Sequence, residues 1–223
     1  FCYVPKMTLM DLWKPHERSN FLDKNKEINK TYIDLVGAFL LCTNSFLEKK
    51  EDGKIVEIGD PTELSVINFA NDQGIVKDDL LIKHIRVHSN PFDSTRKLMS
   101  SINLVAGKPV AFIKGAPDVL VEKCSDANWD LIKHTITKWS AKGYRVIAVA
   151  TKELVAKNKF DEKTVEKGMK FLGLVAMYDP PRSEVYSAVQ QCIKAGIKPI
   201  MITGDHIDTA VAIAKEVGIF RNG

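Results

Sequence analysis

The spacing of hydrophobic residues in the first part of the chain predicts a strand, two helices and a charged turn. A strand is expected over Met7–Trp13. Apolar residues three and four positions apart over Tyr32–Leu40 predict a buried helix face, with Thr31 as the helix cap. The polar stretch 48–53 predicts a surface turn. A second helix is predicted over Asp60–Asn71, because an aspartate cap, a proline at the first position and a glutamate at the third form a strong start signal.

The middle of the chain predicts an α+β unit. An alternating pattern predicts a strand over Leu81–His88, which Asn90-Pro91 interrupts, and a hairpin follows around residues 106–108. The remaining predicted elements are the hairpin strands Leu98–Val105 and Pro109–Ile113, the helices Pro117–Lys123 and Asn128–Lys142, and the strand Tyr144–Thr151.

The last part of the chain has a different pattern. Phe171–Met177 is a nearly continuous apolar run, as expected for a strand that is buried on both faces. A helix over Ser183–Ala195, a short buried strand over Lys198–Ile202 and a helix over Ile207–Val217 are predicted to follow. This β–α–β–α order predicts a parallel, doubly wound sheet, separate from the preceding α+β unit.

Composition narrows the functional classes. With 223 residues, the chain can form one large domain, or one domain and part of another. The net charge of +4 suits small anionic ligands and lacks the clustered basicity of a nucleic-acid binder. The 4 cysteines include no Cys-x-x-Cys pair, so they favour neither a disulfide framework nor a zinc site, and the reducing cytosol is expected. No apolar run approaches the roughly 20 residues that span a bilayer.

Two acids, Asp179 and Asp205, follow the two predicted parallel strands. Ligands of open α/β sheets bind beyond the carboxyl ends of the strands, so both side chains are predicted to point at one site. Thr203 and Gly204 add a hydroxyl and close backbone approach at a helix start, and Arg182 adds a side chain suited to phosphate oxygens. One interpretation is therefore phosphate chemistry, and the other is that both acids are helix caps.

A lysine stands where a predicted strand meets a predicted helix, in Lys114-Gly115-Ala116-Pro117. Glycine lets a ligand approach the backbone, and proline suits the first position of a helix. A cation at such a junction is a candidate for nucleotide binding, although a solvated turn has the same residues.

These stretches and three others together resemble the cytoplasmic part of P-type cation-transporting ATPases. The motifs are Pro61-Thr62-Glu63, Phe92–Ser100, Lys114–Pro117, Gly143–Val146, Asp179–Arg182 and Met201–His206. Their order and spacing agree with that family over nearly the whole chain. The stretch Phe-Asp-Ser-x-Arg-Lys-x-Met-Ser is most similar to the calcium-pump group.

The resemblance implies an α/β fold in two parts. One is an α+β nucleotide-binding domain, with an antiparallel sheet flanked by helices, expected over residues 9–176. The other is a partial phosphorylation domain, a haloacid-dehalogenase-like parallel α/β domain, expected over residues 1–8 and 177–223.

The resemblance also implies roles for particular residues, with ATP and Mg²⁺ as ligands. Phe92 would stack on adenine, Glu63 would accept a hydrogen bond at the purine edge, and Arg145 would reach the phosphates. The implied ATP contacts are Thr62, Glu63, Phe92, Arg96, Lys97, Lys114, Gly115, Ala116 and Arg145. The implied supports of the phosphorylation site are Asp179, Arg182, Thr203, Gly204 and Asp205, and no metal ligand is assigned. Without the resemblance, Phe92 could be a core aromatic, Glu63 a helix-start acid, Arg145 a surface strand residue and Arg96-Lys97 a solvated edge.

The implied parent is an integral membrane pump, with this chain on its cytoplasmic face beside transmembrane and actuator domains. In such pumps ATP phosphorylates an aspartate of an Asp-Lys-Thr-Gly-Thr motif to drive ion transport, here expected to be of Ca²⁺. That motif is absent from these 223 residues, as is the later Thr-Gly-Asp-Gly-x-Asn-Asp motif. We therefore expect a truncated, soluble piece that binds nucleotide without turnover. The alternatives are a stand-alone nucleotide-binding or regulatory module, and a soluble phosphatase of the dehalogenase superfamily.

Overall fold

An antiparallel sheet of six strands organises the molecule. The computed structural model describes residues 6–155, 160–182, 184–203 and 207–220. The strands are β1 (Thr8–Trp13), β2 (Phe46–Lys49), β3 (Ile55–Ile58), β4 (Arg86–Asp93), β5 (Leu98–Val105), β6 (Lys108–Gly115), β7 (Arg145–Glu153) and β8 (Lys170–Tyr178). The large sheet has the order β1-β8-β7-β6-β5-β4 with antiparallel neighbours throughout, and β2 pairs with β3 as a separate hairpin.

Helices cover both faces of the large sheet. They are α1 (Ile33–Leu41), α2 (Pro61–Asp72), α3 (Lys77–Lys83), α4 (Pro117–Glu122), α5 (Trp129–Ser140), α6 (Glu162–Val165), α7 (Val185–Lys194) and α8 (Ile207–Glu216). One hydrophobic core joins α1 and α2 to the sheet around Phe39 and Val175, and a second joins α4 and α5 to the opposite face around Leu120 and Leu174. Successive strand residues point to opposite faces, so the neighbours Leu174 and Val175 belong to different cores.

The predicted hairpin, which is formed by β5 and β6, and the predicted start of α2 are both confirmed. β5 and β6 pair around a turn in which Ala106 and Gly107 have φ values of 48° and 78°. At the start of α2, Asp60 Oδ1 accepts hydrogen bonds from the backbone N–H groups of Thr62 (2.8 Å) and Glu63 (3.3 Å). This cap satisfies donors that a helix start leaves free, and it fixes Glu63 on the first turn of α2.

Thr31, the predicted cap of the first helix, is wrong: α1 is preceded by Tyr32, which makes no side-chain capping hydrogen bond. Asn29 caps the turn before α1, and its Oδ1 accepts a hydrogen bond from Thr31 N at 3.1 Å. A 3₁₀ turn over Lys30–Tyr32 then leads into α1. Asparagine and threonine both cap helices well, so composition alone does not decide between neighbouring candidates.

The strand predicted over Leu81–His88 is wrong in its first half, because Lys77–Lys83 is helix α3 and β4 begins only at Arg86. A short apolar run is compatible with either structure. The helix is favoured by Asp78 and Asp79 in its first turn, where the positive end of the helix dipole attracts acids.

The predicted interruption at Asn90-Pro91 is instead an irregularity inside β4. The strand continues to Asp93, and its pairing with β5 shifts register between Asn90 and Asp93. Because β4 is an edge strand, it tolerates a proline that donates no ladder hydrogen bond. The shift places Pro91 and Phe92 outside the regular ladder.

The predicted parallel sheet is wrong for the described residues. β8, which contains Phe171–Met177, pairs antiparallel with both β1 and β7. A central antiparallel strand with helices on both faces is as fully buried as a parallel one, and the apolar run does not separate the two cases. Lys198–Ile202 forms no strand, and the side chains of Ile200 and Ile202 are 75% and 93% exposed.

The end of the chain adds two helices beside the sheet. α8 packs against α5, and Thr209 Oγ1 donates a hydrogen bond to Tyr144 O at 3.4 Å. The division into residues 9–176 and the flanking segments stays a prediction. In the part of the chain that the structure describes, none of the helices is long and apolar enough to cross a bilayer.

Candidate nucleotide site

A cavity of about 750 Å³ lies where β6 ends and β7 begins, with α4 and α5 along one side. Its volume is in the range of small-ligand sites. Five of the nine predicted ATP contacts line it, namely Phe92, Lys97, Gly115, Ala116 and Arg145.

A second groove, of about 820 Å³, lies between α7 and α8. Its walls are mainly aliphatic, and Lys198 is the one charged residue among its described lining residues. Ligand sites usually add several convergent polar groups to an apolar lining, so the first cavity is the better candidate.

Phe92 presents an aromatic ring at this cavity. The residue is 61% exposed, although phenylalanine is usually buried. The turn after it is held by its own hydrogen bonds: Lys97 N donates to Asp93 O at 2.6 Å, and Asp93 Oδ1 accepts from the backbone N–H groups of Thr95 (3.0 Å) and Arg96 (2.9 Å). The turn therefore presents Phe92 and Lys97 to the same cavity.

Gly115 lets β6 approach this turn closely. A Cβ at this position would lie 2.2 Å from Lys97 O and 2.7 Å from Leu98 Cδ2. The same Lys97 carbonyl accepts a hydrogen bond from Ala116 N at 3.1 Å. Any side chain at Gly115 would push the two segments apart, so glycine is needed for close approach. The contact brings two motifs that are distant in the sequence to one cavity.

Cations outnumber acids around the cavity. Lys97, Lys133 and Arg145 line it and are exposed, whereas Asp118 is the one acid among its described lining residues. Lys97 Nζ lies 3.7 Å from Asp118 Oδ2, but both side chains are more than half exposed, so this pair holds the lysine only weakly. Arg145 Nη1 donates to Thr62 Oγ1 at 3.3 Å, which places the buried Thr62 beside the cavity wall. The surplus of positive charge favours an anionic ligand.

Glu63 and Lys114 form a buried ion pair, with side chains 12% and 7% exposed. Lys114 Nζ also donates to Thr43 Oγ1 at 3.1 Å. Glu63 Oε2 accepts hydrogen bonds from Ser45 N (2.8 Å), Ser45 Oγ (2.6 Å) and Asn44 N (3.1 Å). Burial alone would raise the pKa of the Glu63 carboxyl, but the charge of Lys114 and the hydrogen bonds from Lys114 and Ser45 hold it below its ordinary value.

The side chain of Lys114 points to the face of the sheet that carries α1. Ile113 belongs to the core under α4 and α5, whereas Phe112 packs against the core under α1 and α2. Lys114 follows the direction of Phe112, and its Nζ lies 4.4 Å from the ring centroid of Phe39 in α1. Lys114 and Glu63 therefore do not line the cavity, and their contact with ATP stays a prediction.

The guanidinium of Arg96 is engaged within the protein. Arg96 Nη2 donates to Pro91 O at 2.6 Å, and Nε lies 2.9 Å from Glu166 Oε2. Arg96 does not line the cavity, so its predicted contact with ATP also stays a prediction.

The roles of the residues predicted to support phosphorylation stay predictions. Asp179, Arg182 and Thr203 are exposed, and Gly204 and Asp205 lie outside the described residues. Asp179 follows the carboxyl end of β8, whereas Lys198–Ile202, which precedes Thr203, forms no strand. Within the described ranges no three His, Cys, Asp or Glu side chains are arranged to hold a metal ion.

Sequence reasoning missed the wall that α5 contributes. The residues of this wall are Trp129, Lys133, Ile136, Thr137 and Ser140. They are spaced by three or four, which places them on one helix face. The mixture of aromatic, cationic and hydroxyl side chains on that face was the available signal, since a face that only packs in a core would be apolar.

Comparison with known proteins assigns the chain to a family. Residues 31–184 match the family model described as P-type ATPase, cytoplasmic domain N. The chain is 38% identical to calcium-transporting ATPase 1 of Lactococcus lactis, over 98% of this chain and 26% of that protein. It is 40% identical to a probable cation-transporting P-type ATPase of Mycoplasma pneumoniae, over 87% of this chain and 22% of that protein. A sodium/potassium exporting P-type ATPase of Schizosaccharomyces pombe is 35% identical, over 92% of this chain and 21% of its own length.

The chain therefore belongs to the P-type ATPase family, and the matched region is its cytoplasmic domain N. It spans about a quarter of the length of these relatives. The family predicted from six short motifs is confirmed, as is the antiparallel sheet flanked by helices.

Proposed function

We propose that this chain is the ATP-binding part of a P-type cation-transporting ATPase. The observation that carries the proposal is the cavity of about 750 Å³ in which the exposed ring of Phe92 stands beside the cations Lys97, Lys133 and Arg145. An aromatic ring can stack on a purine base, and the cations suit a triphosphate.

In this proposal adenine stacks on Phe92, and Gly115 and Ala116 let the nucleotide approach the backbone. Lys97 and Arg145 lie nearer the phosphates. Thr62, Glu63 and Lys114 support the wall beside Arg145, and Glu63 offers its carboxylate to the purine edge. Neither Lys114 nor Glu63 lines the cavity. The nucleotide can therefore contact them only if it extends beyond the cavity at Gly115.

We further propose that, in the full-length pump, closure of domains brings the γ-phosphate to an aspartate outside these 223 residues. Catalysis there consists of positioning and charge stabilisation, with ATP bound as its Mg²⁺ complex. Asp179, Arg182, Thr203, Gly204 and Asp205 are proposed to support that step. The partners are the transmembrane and actuator domains of the pump, with this part on the cytoplasmic face of the membrane. The chain alone is expected to bind ATP without turnover.

The test of the site is Phe92→Ala, measured by calorimetric titration with ATP. Loss of base stacking is worth about 1–3 kcal/mol, so the dissociation constant should rise about 5- to 150-fold. Phe46→Ala is the matched control, because Phe46 is also exposed (44%) and lies in β2, away from the cavity. Equal ATP affinity for the two variants would remove Phe92 from the site.

We propose Ca²⁺ as the transported ion, because the Phe92–Ser100 motif is most similar to calcium pumps and several relatives are named calcium-transporting ATPases. The test is ATP-driven uptake of Ca²⁺ by vesicles that contain the full-length pump. Uptake of Na⁺ or K⁺ without Ca²⁺ would contradict this assignment and leave the ATP site unaffected.

A further inference from the structure

Glu166 is a buried acid that lies away from the cavity lining. Its side chain is 1% exposed and follows the short helix α6, and its backbone N–H donates to Glu162 O at 2.8 Å. Burial raises the pKa of this carboxyl above its ordinary value, whereas Ser100 and Arg96 oppose that shift. A buried carboxylate is costly unless it is paired, so its two contacts indicate what it does.

Both oxygens of Glu166 connect to the part of β4 that precedes Phe92. Oε2 lies 2.9 Å from Arg96 Nε, and Arg96 Nη2 donates to Pro91 O at 2.6 Å. Pro91 is the residue before Phe92, in the part of β4 where the pairing shifts register. Arg96 therefore links the buried acid to the carbonyl group next to the exposed ring.

The other carboxylate oxygen of Glu166, Oε1, is connected to Asn90 through Ser100. Glu166 Oε1 accepts a hydrogen bond from Ser100 Oγ at 3.0 Å, and Ser100 Oγ accepts one from Asn90 Nδ2 at 3.0 Å. Asn90 is the residue before Pro91, and its Nδ2 also donates to Phe160 O at 2.9 Å. Both residues that lead to Phe92 are thus held by side chains that converge on Glu166.

We propose that Glu166 is a positioning residue for nucleotide binding, which acts through Arg96 and Ser100 to hold the irregular part of β4 that presents Phe92. The inference rests on the proposed stacking of the base on Phe92. It gives Arg96 a supporting role within the protein. Without the contacts that Glu166 makes with Arg96 and Ser100, Phe92 would have to become ordered when the nucleotide binds, and that ordering weakens binding.

A residue with only a structural role would change stability and leave the affinity of the folded protein unaltered. The two roles are separated by a double-mutant cycle with ATP, measured by calorimetry at a temperature where melting curves show every variant folded. The variants are Glu166→Gln, Phe92→Ala and the double variant. Glu162→Gln is the matched control, because Glu162 is an exposed glutamate at the start of α6, the helix that Glu166 follows.

Glu166→Gln should weaken ATP binding about fivefold or more, within the range of interaction energies for residues in one network. In the Phe92→Ala background the same substitution should change affinity by less than about twofold, because the ring it positions is gone. If Glu166→Gln does not fold, Arg96→Lys serves instead. Lysine keeps the positive charge but lacks the branched guanidinium that reaches both Pro91 O and Glu166. We therefore expect Arg96→Lys to weaken ATP binding when Phe92 is present and to have little effect in the Phe92→Ala background.

The outcomes separate the two proposals. If Phe92→Ala weakens binding and Glu166→Gln does not, the positioning role is overturned and the ATP site stands. Full additivity of the two losses would also overturn it, since Glu166 would then act independently of Phe92. If Phe92→Ala leaves affinity unchanged, the proposed site itself fails.

Discussion

The ion pair between Glu63 and Lys114 joins the first turn of α2 to the end of β6. Lys114 and Gly115 are neighbours in one sequence motif, but successive residues of a strand point to opposite faces of the sheet. Gly115 faces the cavity, and Lys114 faces the helices on the other side of the sheet. The pair therefore stabilises the wall near the cavity in the absence of a ligand, and this role is separate from any contact with ATP.

Lys114→Met should lower the free energy of unfolding by about 3–5 kcal/mol, because it leaves the carboxylate of Glu63 buried without its counter-charge. The measurement is urea denaturation at pH 7. Lys108→Met is the matched control, since Lys108 is an exposed lysine of the same strand. A loss below about 1 kcal/mol would show that Glu63 finds another partner or water.

The pH dependence gives a second measure of the same pair. The pKa of Glu63 is lowered in the folded protein, so its contribution to stability is present above its unfolded value of about 4.5 and is lost as pH falls below it. Glu63→Gln should therefore reduce the acid-induced loss of stability relative to the parent chain.

At the scale of elements, the sequence predicts structure well where a local chemical signal is strong. The start of α2 follows from Asp60, Pro61 and Glu63, and the hairpin between β5 and β6 follows from its central turn. The signal fails where two structures share one pattern. Residues 77–83 are compatible with either helix or strand, and the acids at the helix start decide between them.

The candidate site shows the same limit. Five residues that line the cavity are found from short motifs, because each motif contains a residue with special chemistry. The face of α5 is not found this way, since its residues are spread over three turns and belong to none of the recognised motifs. The links from Glu166 to Arg96 and Ser100 are also invisible in the sequence, because 70 and 66 positions separate the partners.

At the scale of the whole molecule, both hydrophobic cores are built from residues 7–177. Among the described residues of α7 and α8 none belongs to either core, although α8 contacts α5 and Tyr144. The apolar run of β8 predicts burial correctly, but its partners are chosen by long-range pairing that no local pattern encodes. This is the reason that a parallel arrangement was expected.

A chain that ends after Pro181 should keep its fold and its ATP affinity. The large sheet and both cores remain complete, and the losses are the contacts of α7 and α8, including Thr209 in the cavity lining. The cavity residues that remain include Phe92, Lys97, Lys133 and Arg145. The melting temperature should fall by no more than about 5 °C, since a loss of about 1 kcal/mol shifts it by only a few degrees in a domain of this size. Thermal melting and ATP titration measure the two properties.

A second truncation provides the contrast. Removing residues 6–13 as well deletes β1, which exposes one edge of β8 and takes Leu9 and Leu12 out of the core. This variant should lose cooperative unfolding. If the shorter deletion after Pro181 already unfolds the chain, the boundary predicted near residue 176 is wrong.

The pairing of Thr8 with Tyr178 has a mechanical consequence. Partners in an antiparallel ladder have Cα atoms about 4.5–5.5 Å apart, so the chain enters and leaves the sheet at a single corner. A body tethered through two adjacent strands can pivot there while its interior stays rigid, because the pivot needs a bend in the two connecting backbones and release of the contacts that α8 makes with α5 and Tyr144. The cavity would then swing as one unit about that corner, carrying a bound ligand over a distance set by the length of the body.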